Sequence, residues 1–215
     1  ELNLKKDSIK ALNAGGVFAQ TRLENQDSTG FTHVDIYQLP YTDFTPYACL
    51  VIGGMCDQDF LLEHKDIISS FLDEGKIVIF SGNLVTDWLP GGRPFVPKEI
   101  KSFQDYAVKI ESAHPIFEGV LEDDMTFNKG VAGFFARGHH PLPEGAEVLL
   151  TLDGKEPITY IDRQSTNGTI LVHVGFDLFG YMGSNDLEKT TSRISPQLRK
   201  WVEEEYSKTI QGVQS

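Results

Sequence analysis

Between Tyr47 and Leu84 the chain reads YACLVIGGMCDQDFLLEHKDIISSFLDEGKIVIFSGNL. Ala48–Ile52 is an apolar run long enough for a buried strand and too short for a helix. Gly53-Gly54 ends it, and Asp57 is a candidate helix N-cap. Phe60, Leu61, His64, Ile67, Ile68, Phe71 and Leu72 then recur at three-to-four spacing, which places one apolar face on a helix. Glu74-Gly75 supplies a C′ glycine, and Lys76–Phe80 is a second β-rich run ended by Ser81-Gly82-Asn83. Two apolar strands joined by an amphipathic helix predict a βαβ unit, hence a parallel pair. In open α/β sheets ligands sit at the carboxyl ends of the strands. The candidate ligand-binding positions are therefore Gly53, Gly54, Asp57, Gly82 and Asn83.

The chain upstream offers a related feature. Ser8–Asn13 is expected to be the first strand, running into Ala14-Gly15-Gly16, and Val17–Glu24 a short helix whose start faces that turn. A glycine turn opening a helix can hold an anion on free backbone N–H groups, or it can be only a tight turn. Gly15, Gly16 and Gln20 are kept as candidate ligand contacts. His33–Leu39 is read as the second strand and Pro40–Pro46 as a turn-rich link.

Downstream, Trp88–Pro97 holds three prolines and two glycines and must be an irregular loop. It covers the cleft as a lid, makes a partner contact, or tucks its apolar side chains into the core. Asp105–Glu111 alternates like a strand, and Val131–His140 is a glycine-punctuated apolar run ending in His139-His140. Glu147–Leu152, Ile158–Asp162 and Thr169–Val174 are three β-rich runs separated by Gly154-Lys155 and Thr166-Asn167-Gly168, the latter a hairpin signal. Ser195–Lys208 is expected to form a terminal helix with Pro196 at its first position, and Ile210–Ser215 a frayed end. With no repeat or linker, the 215 residues are read as one domain, 1–215.

Composition narrows the function classes. The formal net charge is −12 with no Lys/Arg block, which argues against nucleic-acid binding and against anionic membrane surfaces. No apolar run approaches the ~20 residues of a membrane span, and no signal-peptide pattern is present. Glu1 stands where a trimmed or replaced start would leave it, and the expected location is cytoplasmic. The two cysteines, Cys49 and Cys56, lie too close along one strand–turn segment to favour a disulfide.

The order of these pieces resembles the class I glutamine amidotransferase-like superfamily, in a strand ending in Gly-Gly, a helix, an EGK turn and a strand ending in a small-residue elbow. The later half resembles its ThuA-like branch, named for trehalose utilisation. The matching segments are His114-Pro115-Ile116 with Gly119, EVLLTL at Glu147–Leu152, EPITYIDR at Glu156–Arg163 and NGTILVHVGFD at Asn167–Asp177, followed by the terminal helix. The resemblance spans roughly residues 48–205. It implies a flavodoxin-like α/β three-layer sandwich with a mainly parallel central sheet and additional antiparallel strands.

Catalytic members of that superfamily carry a cysteine at the elbow after the second strand of the βαβ unit, with a histidine and often an acidic partner from late in the chain. Here Ser81 takes the elbow position, with no G-x-C-x-G or G-x-S-x-G around it. The resemblance implies that Gly53-Gly54 match the oxyanion-loop glycines and that Asp177 borders the pocket.

Two function classes follow. One is a non-classical domain without the nucleophilic cysteine, binding a small polar ligand or a protein partner at the carboxyl-end cleft. The other is a hydrolase or amidase using Cys56 or Ser81, with His139 or His140 as base. His173, inside an apolar strand, is read as structural. No cofactor or metal is expected, since neighbouring histidines on a strand face opposite ways. A third reading, a homo-oligomeric assembly subunit, rests on the acidic surface and the aromatic loop.

Overall fold

The computed structural model describes residues 10–15, 31–128, 130–133, 135–181 and 189–213. Gly16, Gln20 and the helix expected over Val17–Glu24 lie outside them.

The described strands are β1 (Lys10–Gly15), β2 (Phe31–Asp35), β3 (Tyr47–Gly53), β4 (Ile77–Ser81), β5 (Val96–Pro97), β6 (Val108–Ile110), β7 (Phe127–Asn128), β8 (Val131–Ala132), β9 (Gly138–His139), β10 (Glu147–Leu152), β11 (Glu156–Asp162) and β12 (Thr169–His173). The helices are α1 (Gln58–Glu63), α2 (Lys65–Asp73), α3 (Glu122–Thr126) and α4 (Ile194–Val213).

Eight strands form one mixed sheet in the order β2-β1-β3-β4-β12-β11-β10-β6. The half from β2 to β12 is parallel and the half from β12 to β6 antiparallel. The βαβ reading holds: β3 and β4 are adjacent and parallel, with Cys49 opposite Ile77 and Gly53 opposite Ser81. The chain is thus a mixed α/β protein with a partly parallel sheet and two small antiparallel ladders, β5-β9 and β7-β8.

Each sheet face buries its own cluster because side chains alternate along a strand. Leu50, Ile52, Val78, Phe80, Ile170 and Val172 face Leu61 of α1 and Ile68, Phe71 and Leu72 of α2. Cys49, Val51, Ile77, Ile79 and Leu171 face Leu198, Trp201 and Val202 of α4. Each such large aliphatic residue, fully buried, contributes roughly 1.5–3 kcal/mol. The antiparallel edge is closed by side chains: Val108 donates its N–H to Thr126 Oγ1 (2.9 Å) and Ile110 to Glu122 Oε1 (2.8 Å). Those amides of β6 are therefore not free to pair with another strand.

Several boundaries differ from the sequence reading. The single helix expected after Asp57 is two, broken at His64 (φ −112°, ψ 23°). The break lets α1 address the loop after β4 while α2 packs on the sheet. The second strand is Phe31–Asp35, not His33–Leu39. Asp35 caps a 3-10 turn over Ile36–Tyr41 by accepting the Tyr37 N–H at 2.9 Å. Within Asp105–Glu111 only Val108–Ile110 is strand, because the Asp105 carboxylate accepts the Lys101 and Ser102 amides (2.7 and 2.8 Å) and winds Phe103–Tyr106 into a 3-10 turn. The terminal helix runs from Ile194 to Val213, through positions expected to fray. Among the described residues no helix is long and apolar enough to cross a membrane.

Candidate functional site

The site is built on one row of residues across the sheet, at the carboxyl ends of its parallel strands. Gly53, Ser81, His173 and Thr159 are successive register partners on β3, β4, β12 and β11. Gly15 ends β1 beside them, one residue beyond the Ala14–Ile52 pair. Register partners on neighbouring strands lie ~4.8 Å apart and present side chains to the same face. Ser81 is two residues on from Ile79, and His173 two on from Leu171, so both face the α4 side.

Ser81 is 1% exposed and His173 fully buried. His173 Nδ1 shares a 2.7 Å hydrogen bond with Thr159 Oγ1, which fixes the ring. In either tautomer its Nε2 keeps one hydrogen-bonding capacity, and that atom has no partner. Ser81 Oγ has none either, so the two groups are not bonded to each other. An unpaired buried polar group costs about 1–3 kcal/mol, so these two adjacent side chains stand out. Next to them the row opens: a Cβ built on Gly53 would meet no described atom within 4 Å.

The surroundings explain why these groups are uncharged. Burial, with a smaller effect from His140, pushes the His173 imidazole down to about 3. The Phe135 ring lies edge-on to His173 (centroids 4.8 Å apart, 63° between planes), and Tyr181 packs on Phe135 at 5.4 Å. Gly175 is required here, because a Cβ would strike His173 Nε2 at 2.6 Å as well as the Phe135 carbonyl. Asp177 caps the 3-10 turn Leu178–Gly180, accepting the Phe179 N–H at 3.0 Å. Burial pushes its carboxyl above the ordinary range. Burial, then the charge of Asp177, raises the Tyr181 phenol to about 12.

The loop after β4 is held in place from both sides. Gln58 at the start of α1 donates from Nε2 to the Asn83 carbonyl (2.7 Å), and its Oε1 accepts from Val85 N (2.9 Å) and Trp88 Nε1 (3.1 Å). Thr86 Oγ1 donates to the Gln58 carbonyl at 2.9 Å. The Leu84 amide donates to His140 Nε2 at 2.9 Å. Gly54 and Gly82 let the two loops meet: a Cβ on Gly54 would come within 2.6 Å of Gly82 Cα and 2.9 Å of the Ser81 carbonyl. Gly82 itself has φ +147°, and its N–H donates to the His173 carbonyl at 2.8 Å. These glycines serve close backbone approach. In the Trp88–Pro97 loop, Trp88 and Leu89 close the core, with Trp88 edge-on to Phe80 at 5.2 Å.

The remaining sequence candidates fall outside the row. Burial pushes the Cys56 thiol up to about 12, opposite to the activation a thiolate nucleophile needs. Both cysteines are free. His140 spends its Nε2 on Leu84 and lies beside Phe80 and Phe95, and burial and His139 lower it to about 4. His139 sits on β9 opposite Val96, with a buried and unpartnered Nδ1. Asp57 caps α1 by accepting the Phe60 N–H (3.0 Å) and also accepts from the Tyr37 hydroxyl (2.8 Å). Asn83 is exposed at the loop.

Sequence reasoning missed His173 and Thr159 as members of the site. The signal was a buried apolar strand, TILVH, ending on a polar residue two positions before a glycine. Ser81 follows IVIF in the same way. Among the described residues no group of three or more His, Cys, Asp or Glu is placed to hold a metal ion. No protein-family model matches the chain, and no curated protein matches it.

Proposed function

We propose that the chain is a ThuA-like member of the class I glutamine amidotransferase-like superfamily, with a flavodoxin-like fold, that binds a small polar ligand where β3, β4 and β12 end. Supporting the fold is the parallel run β2-β1-β3-β4-β12 with Gly15, Gly53 and Gly82 at or just beyond its carboxyl ends. The observation that carries the function is the pair of adjacent buried groups, Ser81 Oγ and His173 Nε2, without partners beside Gly53, where a Cβ would meet no described atom within 4 Å. A ligand hydroxyl, amide or carbonyl would satisfy both. Glutaminase chemistry is not expected, since Ser81 occupies the elbow and Cys56 holds its proton.

The test is titration of the purified protein with acetamide, glycerol and glycine, read on the His173 imidazole nitrogens. A saturable Nε2 shift that disappears in Ser81→Ala supports the reading. Release of ammonia from glutamine would overturn it.

One observation favours a second reading, a serine hydrolase. Ser81 and His173 are register neighbours, and Thr159 orients the imidazole as a third group would orient a general base. It differs from the sequence expectation in taking His173 as base instead of His139 or His140. It requires a Ser81–His173 hydrogen bond, which the geometry lacks. Covalent labelling of Ser81 by a fluorophosphonate would establish it.

A further inference from the structure

His173 Nε2 is an atom a ligand has to reach, and the fold covers it. A Cβ built on Gly175 would lie 2.0 Å from the Phe135 carbonyl oxygen and 2.6 Å from His173 Nε2. Only the hydrogen that a glycine carries there fits between those two atoms. The Phe135 ring closes a second side, edge-on to the imidazole with centroids 4.8 Å apart, and Tyr181 backs that ring at 5.4 Å. Phe135 is itself 3% exposed. Neither solvent nor a protein partner therefore touches Nε2.

The cover is held only at its two ends. Before it, the Val174 N–H donates to the Ile158 carbonyl of β11 at 2.9 Å. After it, Asp177 is fixed by the 3-10 turn, its Oδ1 accepting the Phe179 N–H (3.0 Å) and its carbonyl the Gly180 N–H (2.9 Å). Among the described residues, no hydrogen bond runs from the N–H of Gly175, Phe176 or Asp177. Phe176 is 70% exposed, so its ring does not anchor the turn either. A short span tied at both ends, untied between and starting on a glycine can swing as a unit.

Two opposed effects set its balance. Closure completes the packing around the Phe135–His173 edge contact. Opening lets water or a ligand satisfy a buried nitrogen that has no partner. Resting on the binding reading above, we propose that the turn 175–177 is a gate that closes on Phe135. The structure is its closed state, and a ligand reaches His173 Nε2 only when the turn lifts.

The experiment times the carbethoxylation of each histidine in the full chain by diethyl pyrocarbonate at neutral pH. Mass spectrometry reads each site, with and without sub-denaturing urea. His140 is the control, 1% exposed and holding the Leu84 amide on its Nε2 at 2.9 Å. Its modification requires global unfolding, so its rate should rise with urea. His173 is expected to react faster than His140, at a rate that urea leaves unchanged, because local opening exposes little new surface. Phe135→Leu keeps an apolar side chain but loses the edge contact, and should raise the His173 rate about threefold to tenfold. Gly175→Ala wedges a methyl against the Phe135 carbonyl and Nε2, and should raise it as well.

A His173 rate that climbs with urea as that of His140 does, or that is no faster than that of His140, overturns the gate. So does a rate equal to that of a free imidazole. These outcomes are read on the unaltered chain and need no variant to fold. A His173 rate unmoved by both substitutions overturns it too. The binding reading survives all of these results if acetamide still shifts the His173 Nε2 resonance. If acetamide neither shifts Nε2 nor slows His173 modification in Phe135→Leu, where the gate is loosened, the binding reading is the one that fails.

Discussion

Ser81 and His173 are register partners on adjacent parallel strands, and neither the Oγ of the first nor the Nε2 of the second has a hydrogen-bond partner. Folding has placed two polar atoms, Ser81 Oγ and His173 Nε2, where each loses water without gaining a protein partner. Such an arrangement lowers stability and persists where something else uses it.

The first expectation is therefore a stabilising loss-of-function variant. Ser81→Ala removes a buried hydroxyl that bonds nothing, and should leave stability unchanged or raise it by about 1 kcal/mol. Ligand binding should fall in the same variant. Thermal melting alongside titration checks both; a loss of stability beyond about 1 kcal/mol would mean the hydroxyl has a structural partner.

The close approach of the two loops makes a second prediction. Gly54→Ala puts a methyl against Gly82 Cα and the Ser81 carbonyl, both backbone atoms that cannot swing aside. The expected loss is about 1–3 kcal/mol in denaturant unfolding. Gly53→Ala, where a Cβ would meet no described atom within 4 Å, should cost far less while reducing ligand affinity.

Gln58 provides a third. In Gln58→Ala, Val85 N and Trp88 Nε1 lose their acceptor and the Asn83 carbonyl loses its donor. Stability should drop by about 2–4 kcal/mol, and amide exchange at Val85 should accelerate. Gln58→Glu retains the acceptor and should fall between the two.

How much of this was legible in the sequence depends on the range of the forces involved. The βαβ unit was readable because Ala48–Ile52, the Phe60–Leu72 periodicity and Lys76–Phe80 are local patterns. Asp57 as N-cap and Gly75 as C′ residue (φ +76°) were readable for the same reason. The break at His64 was not, since tertiary demands from Gln58 and the sheet set it. Ser81 could be named as an elbow residue. Its neighbour could not, because the chain leaves β4 at Ser81 and returns on β12 only at His173. Nothing local says that those two strands pair, and a lone histidine ending an apolar strand carries a weaker local signal than the adjacent pair His139-His140.

Acid should destabilise the protein through the two buried histidines. In the folded chain His140 is lowered from the ordinary value near 6.5 to about 4, and His173 to about 3. The unfolded chain therefore binds more protons between about pH 6.5 and 4, so this stability is complete above 6.5 and is lost as pH falls. Each histidine contributes a slope approaching about 1.4 kcal/mol per pH unit in that window. His140→Gln, which retains an acceptor for the Leu84 amide, should remove about half of the combined slope in urea unfolding at pH 4–7. An unchanged slope would show that His140 is not buried neutral.

The most direct measurement of the central claim is the nitrogen spectrum of the His173 imidazole during titration with acetamide. The account predicts that Nε2 shifts saturably while Nδ1, held by Thr159, stays nearly fixed, and that Ser81→Ala weakens the response. An Nε2 resonance that does not move at any acetamide concentration, nor with glycerol or glycine, would contradict it.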